Sequence, residues 1–454
     1  MRAIKWFAAC CLAFVPLTAW AAEAGEVEQV SVTIYNDDLA LIREVRNLDL
    51  DTGVQNVTLS EVSGQLNPQT VHLSLPAGYE VALLEQNYDY DLVSRDKLLT
   101  KFIGKPIALI DDEHEQRFEG TLLSVSGGVV LDSNGTILLN PPGRVELPAG
   151  AADDLLLKPT LSWLLYSPQR ARTDAEITYL SGGLTWNADY VLELNADDTA
   201  AGMEGWVTIS NYSGTTYDEA ELKLIAGDVN RVQENYDMEY KMAEEPMMAD
   251  GLGGGGFEEE EFFEYHLYDL QRPTTLRNSQ QKQISLLSAQ EVPVKKLFVV
   301  NGQYGGDVQV MVEFTNDEES DLGMPLPAGT VRVFKADSGG DVQFVGEDWI
   351  DHTPKDEDVR LYIGNAFDIV CEATQTEYED LGNGYSEEYE VSLRNHKEKD
   401  DVVVTVEVQV WGDWRIVRSN YDYEMDDAWT AQFEVPVPAD GEATLEYKYR
   451  VTWE

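Results

Sequence analysis

Cysteine is nearly absent: the 454 residues contain three, which excludes the disulfide framework of small secreted scaffolds. Cys10 and Cys11 lie in an N-terminal apolar run, so Cys371 alone would remain after export, without an intramolecular partner. A chain of this length buries enough surface to do without such staples. Histidine is also scarce: His72, His114, His266, His352 and His396 are single and widely spaced, which gives no zinc-ligand pattern. The sequence has no G-x-S-x-G, no H-E-x-x-H and no phosphate-binding glycine loop ahead of a helix. Asn87, Asp89 and Asp91 begin like a calcium loop but lack its glycine and distal glutamate. Basic residues are few, 32 against 83 acidic, for a formal charge of −51. Such a field repels phosphate backbones and anionic lipid surfaces, so nucleic acid is excluded as a partner.

After residue 20 no apolar run of spanning length occurs, so no transmembrane helix is expected in the mature chain. Its last segment, Leu445, Tyr447, Tyr449, Val451 and Trp453, alternates as outer-membrane strands do. Dense acidic turns and unequal strand lengths elsewhere argue against a membrane barrel. At the N-terminus, Arg2 and Lys5 precede the apolar run Trp6 to Trp20, which ends in Ala19-Trp20-Ala21. A cationic start, a short apolar stretch and a small-residue site predict a signal peptide over residues 1–21, with cleavage near Ala21 or Ala22. The run falls short of the roughly 20 residues that span a bilayer. The expected location is the periplasm of a Gram-negative cell.

What the chain has in abundance is period-two alternation. Val71, Leu73 and Leu75 show it, as do Val308, Val310, Val312 and Phe314, then Tyr389, Val391 and Leu393, and the run Val402, Val404, Val406, Val408 and Val410. These read as half-buried strands. Turn signals such as Asn134-Gly135, Ser181-Gly182-Gly183 and Asn383-Gly384 separate them. The best short helical candidate is Val93 to Ile103. The predicted class is therefore all-β: a small sandwich over 22–93, a small strongly bent barrel over 94–150, and one or two larger sandwiches over 160–454. Residues 234–264, rich in glycine, methionine and carboxylates, are expected to be a flexible insertion.

The run YLSGGLTWNADYVLEL at 179–194, with ISNYSGTTYDEAELKLIAGDVNRV at 209–232, resembles the core signature of the bacterial domain-of-unknown-function family 4139, the mucoidy-inhibitor-like envelope proteins. The block from Pro325 to Ile369 and the segment from Tyr389 to Asn420 agree with it. The resemblance covers most of the mature chain but brings no settled activity, and the coiled-coil insertion of longer relatives is missing here.

The nearest approach to an active site is Glu347, Asp348, Asp351 and His352, which could act as acid and base or hold a cation. A hairpin turn whose carboxylates cap backbone amides explains them equally well. Trp186 and Tyr190 read as core aromatics, with sugar stacking as the functional rival. In the acidic insertion, Met238, Met242, Met247 and Met248 could ligate Cu(I), and Phe257, Phe262 and Phe263 could dock a partner. None of these patterns establishes a catalytic, cofactor or metal residue. The expected function is non-catalytic binding or scaffolding in the envelope, with a protein or glycan partner. The alternative is an envelope hydrolase using carboxylates near Asp348 and His352.

Overall fold

The computed structural model describes residues 22–89, 94–151, 158–227, 229–230, 257–263 and 265–453. The expected signal peptide lies outside the described residues, as do Asp91, the four methionines from Met238 to Met248 and the glycine run Gly253–Gly256. The architecture is all-β in five open sheets. Within the described residues there is one α-helix, Arg95–Lys101, where the Ser94 side chain accepts from the Lys97 N–H at its start. No described helix is long and apolar enough to cross a membrane.

Alternation places side chains as expected. In Val402–Gln409 the residues Val402, Val404, Val406 and Val408 are buried, while Val403 faces solvent. Parity decides the face of a strand but not its partner, and here the structure departs from the expected domains. The strand Leu39–Leu50 pairs with Ala171–Ser181 from Ala171↔Leu50 to Ser181↔Ala40. Val27–Tyr35 runs parallel to Tyr217–Ala226. Residues 22–89 are thus woven into the central part of the chain and do not form a separate sandwich. A four-stranded, an eight-stranded and a five-stranded sheet enclose one continuous core around Trp163, Tyr179, Tyr190 and Tyr268.

Residues 94–151 are an excursion from this body. Asp89 and Thr160 face each other in an antiparallel pair, so the chain leaves and re-enters the sheet at one point. Five short strands form the excursion, with their own core of Leu99, Phe102, Ile107, Leu109, Leu122 and Leu131. The expected barrel does not close: Thr136–Leu139 and Arg144–Glu146 are the two sheet edges and do not pair. The helix and its C-terminal cap contribute Leu99 and Phe102 to this core.

The C-terminal nine-stranded sheet folds over on itself. Phe433, near one end of the strand order, packs against Tyr447, near the other, with ring centroids 5.5 Å apart. Strands Gly306–Thr315 and Asp358–Asp380 feed both cores: Val312 and Leu361 belong to the first, Val308 and Cys371 to the second. The end of the expected flexible insertion is ordered. Phe257–Phe262 pairs with Tyr265–Leu270, and Phe257 is buried. Burying Phe257 and placing Glu259 2.8 Å from the His266 ring offset the like-charge cost of the acidic run.

Candidate functional site

Glu347, Asp348, Asp351 and His352 do not converge. Asp348 uses one carboxylate oxygen for its neighbour's Trp349 N–H and the other for the Tyr362 N–H at 2.7 Å. The His352 Nδ1 accepts the Ala328 N–H at 3.1 Å. Glu347 lies 3.3 Å from Arg332, which also pairs with Asp189. These are strand-end and cross-strand contacts, with lone pairs committed to backbone and arginine donors. Among the described residues no group of three or more His, Cys, Asp or Glu side chains is placed to hold a metal ion. Asp89 accepts from Ser162 within its sheet, and the remaining histidines are dispersed.

The motif aromatics are structural. Trp186 is 2% exposed and Tyr190 fully buried. The Tyr190 hydroxyl donates to the Pro327 carbonyl at 2.7 Å, and Tyr268 donates to that of Pro325 at 2.9 Å. The Pro-Leu-Pro turn thus serves as the acceptor that lets two tyrosines be buried. Gly183, with φ +80°, sits where a Cβ would stand 2.6 Å from the Ser213 backbone, so glycine at this position is a packing requirement.

A more informative site opens within the eight-stranded sheet, between two neighbouring strands. Val27–Tyr35 and Tyr217–Ala226 pair only from Ser31 and Glu221 onward, because Tyr217 and Ala220 turn to pair with Thr274–Leu276. The two strands splay, leaving the outer edge of residues 27–30 without a strand partner and opening a cleft of about 740 Å³. Glu23, Glu26 and Glu28 stand on one side and Asp218, Glu219 and Glu221 on the other. Gln29 donates to Glu221 at 2.7 Å and pins the apex of the wedge. Lys158 pairs with Glu61 at the rim, whereas Glu26, Glu28 and Asp218 have no cationic partner among the described residues.

Glu44 and Arg46 form the buried end of this cleft, each with a side chain 4% exposed. Arg46 Nε donates to Glu44 Oε2 at 2.8 Å, and Nη1 donates to the Ser60 carbonyl at 3.1 Å. Arg46 Nη2 lies 2.6 Å from the same Glu44 oxygen and completes the ion pair. Tyr179 donates to Glu44 Oε1 at 2.7 Å. Burial first, and then the Glu44 charge, holds the Tyr179 phenol far above its ordinary ionisation range. Burial likewise raises Tyr217, with Ser213 and Ser63 opposing. The cleft thus has acceptors at its mouth, a buried ion pair at its closed end and an open strand edge along one wall.

No protein-family model matches the chain, and no curated protein is similar to it. The cleft must therefore be read from its own chemistry. Its floor was not singled out in the sequence, although a signal exists. In Leu39–Leu50 the buried parity runs Ala40, Ile42, Glu44, Arg46, Leu48, Leu50, and two opposite charges on an apolar face mark a buried ion pair.

Proposed function

We propose that this chain is an exported, non-catalytic binding protein of the bacterial periplasm whose splayed cleft receives an extended basic segment of another envelope protein. The observation that carries the reading is the open edge of residues 27–30 beside carboxylates that lack cations. An added strand would satisfy the free backbone groups. Its alternate side chains would point the same way, so basic residues at every second position would meet the acidic rim. The signal-like N-terminus supports export. The motif blocks that resemble the mucoidy-inhibitor-like proteins agree with an envelope setting.

An end-capped Lys-Thr-Lys-Thr-Lys peptide, titrated by calorimetry at low ionic strength, tests this. It should bind, weaken steeply with salt as exposed pairing is screened, and lose at least tenfold in affinity in the Glu26→Gln/Glu28→Gln/Asp218→Asn variant. A Gln-Thr-Gln-Thr-Gln peptide should not bind. Absence of lysine-peptide binding, or binding indifferent to the triple variant, would refute the assignment.

A further inference from the structure

The folded-over C-terminal sheet carries a second concavity of about 380 Å³, within the roughly 300–1,000 Å³ of small-ligand sites. Its floor is a layer of tyrosines. Tyr389 lies parallel to Tyr449, centroids 6.2 Å apart and planes 8° apart, and Tyr385 meets Tyr449 edge-on at 6.3 Å. Its rim is aromatic and wet: Tyr304 is 83% exposed and Trp411 67%, with Trp411 held against Trp429 at 5.3 Å. Monomeric proteins rarely leave several large aromatics together in water without a use for them.

Polar groups among these rings are fixed with capacity to spare. Glu387 Oε2 accepts from Tyr389 at 3.0 Å and from Tyr449, while its Oε1 accepts no hydrogen bond among the described residues. Gln303 Nε2 donates to the Tyr449 hydroxyl at 3.1 Å, leaving its carbonyl oxygen unused. The Asn301 side-chain oxygen accepts the Gln303 and Tyr304 N–H groups, at 2.9 and 3.0 Å. That fixes the loop and leaves the Asn301 NH₂ as a donor. Gln409, also at the cleft, keeps both ends of its amide.

We propose that this cleft binds a neutral oligosaccharide, with Trp411 and Tyr304 stacking on sugar faces and Glu387, Asn301 and Gln409 reading hydroxyl groups. A polyol offers an apolar C–H face to aromatic rings and, at each hydroxyl, a donor together with an acceptor, which matches the mixture of spare carboxylate, carbonyl and amide groups. A proline-rich peptide would also suit an aromatic groove, but prolines present only carbonyl acceptors and would leave Glu387 Oε1 without a donor. Acidic glycans are disfavoured by Glu387 and by the overall charge of −51. The cleft belongs to a different core from the acidic wedge, so the two assignments stand or fall separately.

Tryptophan fluorescence and calorimetry with linear tetramers of glucose and of N-acetylglucosamine, and with deca-proline as the competing class, decide the matter on the full mature chain. At least one tetramer should bind and shift the tryptophan emission. Affinity should fall at least tenfold in Trp411→Ala and in Gln409→Ala, both exposed positions whose replacement leaves the buried tyrosine layer intact. The acidic-wedge triple variant should bind the sugar unchanged. Binding of deca-proline but neither sugar, binding of neither class, or sugar binding unaffected by Trp411→Ala would each overturn the proposal.

Discussion

Glu44 and Arg46 are held within the β-core by each other, by Tyr179 and by the Ser60 carbonyl. A buried pair of this kind adds little stability compared with an apolar pair, but removing one member strands the other charge in a poorly solvated site. Arg46→Met should therefore lower the unfolding free energy by about 3–5 kcal/mol. The double variant Glu44→Gln/Arg46→Met should lose less than half as much, because glutamine is neutral and still accepts from Tyr179. Urea unfolding with matched slopes measures both. Equal losses would mean that packing, not the stranded carboxylate, sets the effect. The same residues show what was legible at this scale. Strand patterning marks Trp186, Tyr190 and the valine run as core, where the structure buries them. The charge pair on an apolar parity was just as visible but unweighed. The aromatic cleft is not legible, because Glu387 and Tyr449 meet only through the pairing of distant strands and Tyr304 and Trp411 join them only in the folded sheet.

At the scale of elements, the class, the short helix near residues 95–101 and most strands follow from period-two patterning and turn residues, whereas the pairing does not. Nothing local in Leu39–Leu50 says that its partner lies at Ala171–Ser181, so the sequence alone does not show that residues 22–89 share a fold with the chain beyond residue 160. The acidic run at Phe257–Phe262 misled in the opposite direction: four successive glutamates suggested an unordered loop, yet the buried Phe257 and the hairpin register order it. The excursion of residues 94–151 yields a direct test. Because Asp89 faces Thr160 across an antiparallel pair, replacing residues 90–159 by Asn-Gly should make a tight hairpin and leave the rest folded, with circular dichroism per residue still that of a β-protein. The excised residues 94–151 should fold alone with the marginal stability of so small a core. Aggregation of the shortened chain with loss of β-signal would show that the excursion is part of the main fold.

Across the whole molecule the −51 charge keeps it apart from other polyanions and directs both clefts toward cationic or neutral ligands, while its stability in alkali is governed by buried phenols. Tyr179, Tyr190 and Tyr268 in the first core are raised well above their ordinary ionisation range, chiefly by burial, and Tyr447 in the second is raised in the same way. Burial also pushes the Cys371 thiol up to about 11, with Glu372 adding to it. Each group stays protonated in the folded chain and ionises in the unfolded one once pH passes its ordinary value. Its contribution is therefore complete below about pH 9, begins to fall as unfolded cysteine and then tyrosine ionise, and is lost as pH rises toward the folded values. Every such group removes about 1.4 kcal/mol per pH unit in that window. The four phenols together remove roughly 5–6 kcal/mol per unit, comparable with the roughly 5–15 kcal/mol that holds a domain folded. Strands Gly306–Thr315 and Asp358–Asp380 belong to both cores, so loss of one should pull on the other. The phenolate absorbance of the 22 tyrosines should accordingly rise in two stages. Exposed rings should titrate near pH 10 with the β-signal unchanged, and the buried ones should appear abruptly between about pH 11 and 12, together with loss of the β-signal and reactivity of Cys371 toward thiol reagents. Smooth titration of all the phenols while the β-signal persists would show that the cores admit hydroxide and that their tyrosines are not sealed.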